Sequence, residues 1–294
     1  MSNRQQPGSW RCLPKHGVGQ SLLLIMLTLP LSAAAEHSLN FGLYTSDKPS
    51  AMIRLFKPVI SALESELSAH TGHSIDIRIQ VAKSYELGVD NLTSEKVDFA
   101  RFGPASYVMA KDVQPDLRIL AMERKKGKKY FNGIICARQG DEQLTVEQLR
   151  GKRFAFGNER STIGRYLAQL YLLDHGIRAS DLSSYAYLAR HDLVGTSVAA
   201  GRYDAGALKE STYKKLVAKG TPLTTIATFK NVTKPWVARA GMDDKLFAAL
   251  QQSLLAITDP EGLQSLGVDG FVSGEDHEYD TIRESIARNP AFLE

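Results

Sequence analysis

Residues 154–166 read Phe-Ala-Phe-Gly-Asn-Glu-Arg-Ser-Thr-Ile-Gly-Arg-Tyr. The apolar run ends at Gly157, the polar residues Asn158, Glu159 and Arg160 make a turn, and Ser161 or Thr162 opens a helix, because a hydroxyl side chain satisfies the unpaired amides of a first helical turn. A strand, a loop and a helix start in that order bring free amides, two hydroxyls and the positive end of a helix dipole to one point. A phosphate-like oxyanion is stabilised there without a cationic side chain. An ordinary capped helix is the competing reading, and the rest of the chain has to decide between them.

After this stretch the helix continues over 162–175 and is closed by Gly176. Strand 185–188, helix 193–200 stopped by Gly201, strand 204–208, helix 212–218 ended by Gly220, and strand 223–228 follow. Before it lie a strand over 131–137, a short helix at 146–149 and the strand 153–156. The first part of the chain shows the same alternation: strand 39–44, helix 49–70 with an apolar face of Met52, Ile53, Phe56, Ile60, Leu63 and Leu67, and a strand marked by Ile75, Ile77 and Ile79. A helix at 85–92, a strand at 97–102, a helix after Pro104 and a strand at 117–122 complete that half. The charged stretch 123–130 reads as a solvated turn, 233–239 as a return crossing, and 245–257 and 279–288 as terminal helices. Strands alternating with helices at this spacing pair in parallel through right-handed crossovers, which gives an α/β fold. The expected architecture has two lobes, 36–130 plus 236–294 and 131–235, each an open, mostly parallel sheet flanked by helices and joined by two crossing strands. A ligand then sits in the cleft at the carboxyl ends of the strands.

The first 35 residues stand apart. Arg4, Arg11 and Lys15 precede an apolar run over 22–31 and the small residues Ser32 to Ala35, the pattern of a secretory signal peptide cleaved before Glu36. The run is too short for a bilayer span of about 20 residues. Removing it takes away three positive and no negative charges, so the formal net charge of +4 falls by three to +1. A chain so nearly neutral is not a nucleic-acid binder, and the mature protein is expected to be exported as a soluble monomer with no stable membrane insertion. Cys12 leaves with the signal, and Cys136, alone in an apolar strand, reads as a buried small hydrophobe. His70, His73, His175, His191 and His277 form no metal-ligand spacing, so neither a metal nor a cofactor is expected.

Several motifs in order carry a resemblance: Phe41-Gly-Leu-Tyr-Thr-Ser, Val97-Asp-Phe-Ala-Arg-Phe-Gly-Pro-Ala-Ser-Tyr, Leu149-Arg-Gly-Lys-Arg-Phe-Ala-Phe-Gly, Ser161-Thr-Ile-Gly, Arg190-His-Asp, Gly201-Arg-Tyr-Asp-Ala-Gly-Ala and Lys234-Pro-Trp-Val-Ala-Arg. With them the chain resembles, over nearly its whole mature length, the PhnD-like periplasmic substrate-binding proteins of phosphate, phosphite and phosphonate ABC importers, which have the type II periplasmic binding fold. The resemblance implies an oxyanion held on a Ser-Thr-Ser-Gly helix start. Ser161, Thr162 and Gly164 match it, while Ile163 stands where a third hydroxyl is usual. It also implies His191 leaning on the same oxyanion, Tyr85 as an aromatic wall, Phe102 where the family often has a tyrosine, and Thr45 at the end of the first motif. Glu210 falls near a position where relatives place a carboxylate for an aminoalkyl ligand, whereas Lys234 brings a cation to the neighbourhood of another such position. 2-Aminoethylphosphonate is therefore expected to bind poorly. Tyr107 is expected in the core, and Asp204 as a structural residue of the turn after Gly201.

Three functions compete. The first is the ligand-capturing subunit of an importer, which hands its ligand to a membrane permease driven by an ATPase. The second is a sensory binding protein that signals to a membrane histidine kinase, and the third a phosphate-ester hydrolase. The third is the weakest, because Gly-Asn-Glu-Arg-Ser is not a nucleophile elbow and His191 with Asp192 is an adjacent pair with no triad around it.

Overall fold

The computed structural model describes residues 37–44 and 49–294; the signal-peptide reading at 1–35 and Thr45 lie outside the described residues. Two mixed sheets form, and the chain builds them on one plan. In the first, β1 (His37–Tyr44) pairs in parallel with β2 (Ile75–Ala82) and β3 (Phe99–Arg101), with α1 (Pro49–Thr71) and α2 (Tyr85–Thr93) in the connections. After α3 (Pro104–Val113) comes β4 (Arg118–Arg124). In the second sheet, β6 (Arg153–Phe156) pairs in parallel with β7 (Ser184–Tyr187) and β8 (Ala205–Lys209), connected through α4 (Leu167–Asp174) and α5 (His191–Ala199).

Each sheet is then entered by a strand that runs against its neighbours. The chain leaves β4, turns through 125–129, and enters the second sheet as β5 (Tyr130–Arg138), antiparallel to β8 and to β9 (Leu223–Val232), which follows α6 (Glu210–Ala218). It returns through residues 233–234 into β10 (Pro235–Ala238), which lies antiparallel between β3 and β4. The two crossings are bonded to each other: the backbone N–H and the hydroxyl of Thr233 both donate to the Lys129 carbonyl, and Tyr279 donates its hydroxyl to the Thr233 carbonyl at 3.1 Å. The chain ends with α7 (Asp244–Ala256), α8 (Pro260–Leu266), β11 (Gly270–Val272), α9 (Asp280–Ala287) and α10 (Asn289–Leu293). Of these, α8, β11 and α10 are too short to announce themselves by periodicity.

Burial follows the apolar pattern with instructive exceptions. Trp236 on β10 is fully buried and stacks on Phe41 at 4.7 Å, with Phe56 and Phe99 around it, so the return strand is the core of the first sheet. Ile53, expected on the buried face of α1, is 42% exposed, because Met52, Phe56, Ile60, Leu63 and Leu67 already complete a stripe at helical spacing. Glu123, expected in a solvated turn, closes β4 instead and is buried, its carboxylate 2.7 Å from Arg101. Only residues 125–128 form the turn, a bridge between Lys125 and Lys128 with Gly127 at φ +71°. The terminal helices α9 and α10, grouped by sequence with the first lobe, reach the second sheet: Phe292 meets Phe156 edge-on at 5.7 Å, and the Arg165 guanidinium bonds Asn289. Cys136 is buried and free, with its thiol pushed up to about 12 by desolvation, and Tyr107 is core, as expected. Asp204 takes three hydrogen bonds from the Arg153 amide and guanidinium, which fixes the turn after Gly201. No helix among the described residues is long and apolar enough to cross a membrane.

Candidate functional site

The quoted stretch folds as its composition dictates. β6 ends at Phe156, and the Asn158 side chain caps the turn by accepting from the Arg160 amide at 2.8 Å. Ser161 is the N-cap, its hydroxyl oxygen accepting from the Gly164 amide at 3.0 Å, a contact that contributes about 1 kcal/mol. The helix opens with a π turn over Thr162–Tyr166 and becomes α-helical only at Leu167. Wide first turns of this kind recur at functional sites, because they spread the unpaired donors. Gly157 and Gly164 make this geometry possible: the Gly157 amide donates to the Gly164 carbonyl at 2.7 Å, and a Cβ on Gly164 would lie 2.8 Å from the Gly157 Cα. No residue with a side chain fits at that crossing.

The amides at this helix start can be followed one by one. Arg160 donates to the Asn158 side chain, Ser161 to the Asn158 carbonyl, Gly164 to the Ser161 hydroxyl, and Arg165 and Tyr166 to the Ser161 carbonyl. The amides of Thr162 and Ile163 are left without an acceptor among the described residues. Both hydroxyls, meanwhile, are engaged as acceptors: Ser161 by Gly164 and Thr162 by the Ala105 amide of α3 at 2.9 Å. Their own protons remain to be donated. Two amides and two hydroxyls thus form a set of neutral donors for one oxyanion.

These donors face a cavity of about 380 Å³. Tyr44 and Tyr85 form one wall, stacked at 4.2 Å, and the Tyr44 hydroxyl accepts from the Gly103 amide at 2.6 Å and from the Ser106 hydroxyl at 3.0 Å. Burial raises the pKa of both phenols, so they stay protonated, and the Tyr44 proton is available to the cavity. His191 lines the cavity as well, held at the start of α5 behind Ala189, which sits at φ +60°. That left-handed conformation costs about 1–3 kcal/mol in a residue with a Cβ, and here it turns the chain at the cavity rim. At the crossings lie Arg101, Lys209, Asn231 and Lys234.

The electrostatics of that end are unusual. Arg101 is answered by Glu123; burial alone would raise the Glu123 pKa, but Arg101 and then Lys234 outweigh it and hold the carboxyl below its ordinary value. Lys209 and Lys234 have no hydrogen-bond or ion-pair partner among the described residues. Burial first and then Arg101 push both down: Lys209, repelled also by Lys125 and Lys215, to about 8, and Lys234, repelled also by Lys209 and Lys125, well below its ordinary value. His191 is driven down to about 3 by burial and then by the same two lysines, so its ring is neutral at neutral pH. Its Nδ1 and the Asn231 Oδ1 are buried without partners among the described residues. Desolvated cations beside unpaired polar atoms are costly until an anion completes them.

Of the residues expected in the site, Tyr85, Ser161, Thr162, Ile163 and His191 line this one cavity. Phe102 does not: it is fully buried, behind the Tyr44 ring at 5.9 Å. Glu210 also stands outside the lining, as the first residue of α6, bonded to Lys214 one turn along. Tyr44, Arg101, Lys209 and Asn231 belong to the lining and escaped the sequence reading. Tyr44 and Arg101 sat inside quoted motifs, and Lys209 is the neighbour of Glu210. No group of three or more His, Cys, Asp or Glu residues that could hold a metal occurs among the described residues.

Comparison with known proteins agrees with this geometry. The family described as "ABC transporter, phosphonate, periplasmic substrate-binding protein" matches residues 41–279. A curated relative, "Probable ABC transporter phosphite binding protein PhnD1" of Prochlorococcus marinus (strain MIT 9301), is 20% identical over 290 residues, covering 91% of this chain and 94% of its own. Among solved structures, PhnD1 from the same organism in complex with methylphosphonate superposes with a TM-score of 0.71 at 20% identity, covering 85% of this chain and 97% of that one. XAC2383 from Xanthomonas citri bound to ATP gives 0.71 at 21% identity, with 87% and 99% covered. The shared fold is the two-lobed type II periplasmic binding architecture, and the matched role is that of a substrate-binding subunit, not an enzyme. With the family match running through most of its length, the chain belongs to the periplasmic substrate-binding proteins of phosphonate ABC transporters.

Proposed function

We propose that this protein captures a small phosphorus oxyanion of the phosphonate, phosphite or phosphate type at the start of the 162–174 helix and delivers it to the permease of an ABC importer. The observation that carries the reading is the pair of unpaired amides at Thr162 and Ile163, flanked by the hydroxyl protons of Ser161 and Thr162. The neutral His191 ring stands beside them: its Gly157 neighbour would, with a Cβ, come within 3.6 Å of the ring. Ile163 therefore contributes through its backbone, while its side chain packs over Gly133 beside Phe229. The missing third hydroxyl removes one donor but not the site.

In this reading the lobes are 36–130 plus 236–294 and 131–235, and they close about the two crossings. The Thr162–Ala105 bond and the Arg160–Glu86 ion pair at 2.9 Å are contacts made on closing. The segment 1–35 directs export and is cleaved before Glu36, and the mature protein acts as a monomer. An ammonium group is disfavoured, because the one carboxylate in the lining among the described residues, Asp192, is already paired with Arg190. A thermal-shift panel on the mature protein tests the reading, followed by calorimetry with phosphate, phosphite, methylphosphonate, methanesulfonate and 2-aminoethylphosphonate. The expected result is stabilisation by at least one of the first three and little by the last. Stabilisation by none of the three, or submicromolar binding of the aminoalkyl compound, overturns it.

A further inference from the structure

The four neutral donors at the helix start need no cation to hold an oxyanion, yet two buried lysines share the same cavity. They come from elements apart from that helix. Lys209 ends β8 in register with Gly133 of β5, and Lys234 lies on the return crossing, where its carbonyl accepts from the Glu123 amide at 3.1 Å. Glu123 is already bonded to the Arg101 guanidinium at 2.7 Å and acts on the two lysines only at a distance, so neither ammonium group has an ion-pair or hydrogen-bond partner among the described residues. The cavity, at about 380 Å³, falls in the range of roughly 300–1,000 Å³ typical of pockets that enclose organic ligands, and a bare tetrahedral oxyanion would fill only part of it.

We infer that the ligand carries a second anionic group: it is a small organic phosphonate or phosphate whose phosphoryl end sits on the Thr162 helix start and whose carboxylate, or second phosphoryl group, is received by Lys209 and Lys234. This rests on the proposed oxyanion site and adds a class to it. Two surplus cations set the sign of the ligand's far end, opposite to that of an aminoalkyl phosphonate. The depressed lysine pKa values agree, since each group lacks the anion that would restore it.

The test compares phosphonoacetate with its carboxyl methyl ester, which has the same backbone and no second charge, and with methylphosphonate, by calorimetry on the mature protein. Phosphonoacetate is expected to bind at least about tenfold tighter than the ester, the scale of one charge-assisted contact in a desolvated site. Lys234→Met and Lys209→Met should each weaken phosphonoacetate at least about ten times more than they weaken the ester. Ser161→Ala should weaken both acids and the ester together. Equal affinity for phosphonoacetate and ester, or equal losses for both in the lysine variants, overturns the inference while leaving the helix-start site standing. If methylphosphonate, phosphite and phosphate also fail to bind, the oxyanion site itself fails and the inference goes with it. Melting curves of the lysine variants report on folding separately, and removal of an unpaired buried cation is expected to leave them folded.

Discussion

The two ends of the cavity prepare for negative charge by opposite means. At the helix start the donors are backbone amides and short hydroxyls, fixed by the Gly157–Gly164 crossing and the Ser161 cap, and none of them is charged. At the crossings the donors are long lysine side chains whose charge is desolvated and unanswered. The first end recognises an oxyanion by the positions of its oxygens and should be indifferent to pH. The second end acts through net charge, so it should respond to every change in the balance among Arg101, Glu123, Lys209 and Lys234.

That balance can be broken most severely at Arg101. Arg101→Met leaves the Glu123 carboxylate buried with only the depressed lysines nearby, and breaking a buried pair from one side costs about 3–5 kcal/mol. Chemical denaturation of the ligand-free protein should show that loss, and Arg101→Met with Glu123→Leu should recover much of it. The helix start, which contains no such pair, offers no single charge whose removal has this effect. A single variant as stable as the wild type would show that Glu123 is already neutral or solvated.

Between the two ends sits His191, which reports on both. Its pKa is about 3 in the folded protein and near 6.5 when unfolded, so between those values the unfolded chain binds a proton that the folded one does not. Stability therefore falls as pH drops through that window. The groups facing the ring are Lys209 and Lys234, which disfavour its protonation, and Asp192, which favours it more weakly. Between pH 7 and pH 4 the ligand-free protein should lose about 3 kcal/mol from this group alone, at about 1.4 kcal/mol per unit. Because several carboxyls also titrate there, the measurement is the difference between wild type and His191→Gln, whose acid slope should be shallower by that amount. Bound anion should shrink the difference, since it favours the protonated ring.

The neutral end is tested by Thr162→Val, which is nearly isosteric. It removes a hydroxyl proton aimed at the ligand and also the acceptor of the Ala105 amide, and it should weaken anion binding by about 1–3 kcal/mol by calorimetry. Thr162→Ser, which keeps the hydroxyl, should lose much less. If the valine variant binds methylphosphonate as tightly as the wild type, the oxyanion does not sit on this turn, and the contrast between the two ends falls.

How much of this was legible follows from what is local. The strand ending at Gly157, the Ser161 cap and the amide donors could be read from 154–166 because capping and turn chemistry depend on neighbours a few residues away. The charged end could not, because it is assembled by register. Whether Lys209 or Glu210 faces the cavity turns on where β8 stops: Lys209 is its last residue and Glu210 begins α6, bonded to Lys214. Phe102 and Tyr44 are a similar case. A wall without a hydroxyl was expected from Phe102, but Tyr44 on β1 lines the cavity and Phe102 is fully buried behind it. The docking of Phe292 on Phe156 joins residues 136 positions apart, and no local periodicity reports such a contact.

The smallest expected effect separates the ends most cleanly. An anion reaching Lys209 restores a pKa that burial has lowered to about 8, so at pH 8 the free protein holds that site about half protonated and the complex holds it fully protonated. Binding should then take up about half a proton at Lys209, and affinity should fall by about 0.7 kcal/mol per pH unit near pH 8, steepening above it. Calorimetry in two buffers of different ionisation enthalpy reads the uptake directly. The ligand's own ionisation cancels when wild type is compared with Lys209→Met, which should take up about half a proton less. Equal uptake in the two proteins would mean that Lys209 is already charged in the free state, with an anion or solvent beside it. The crossings would then hold no reserve of unanswered charge, and the helix start would be the end that chooses the ligand.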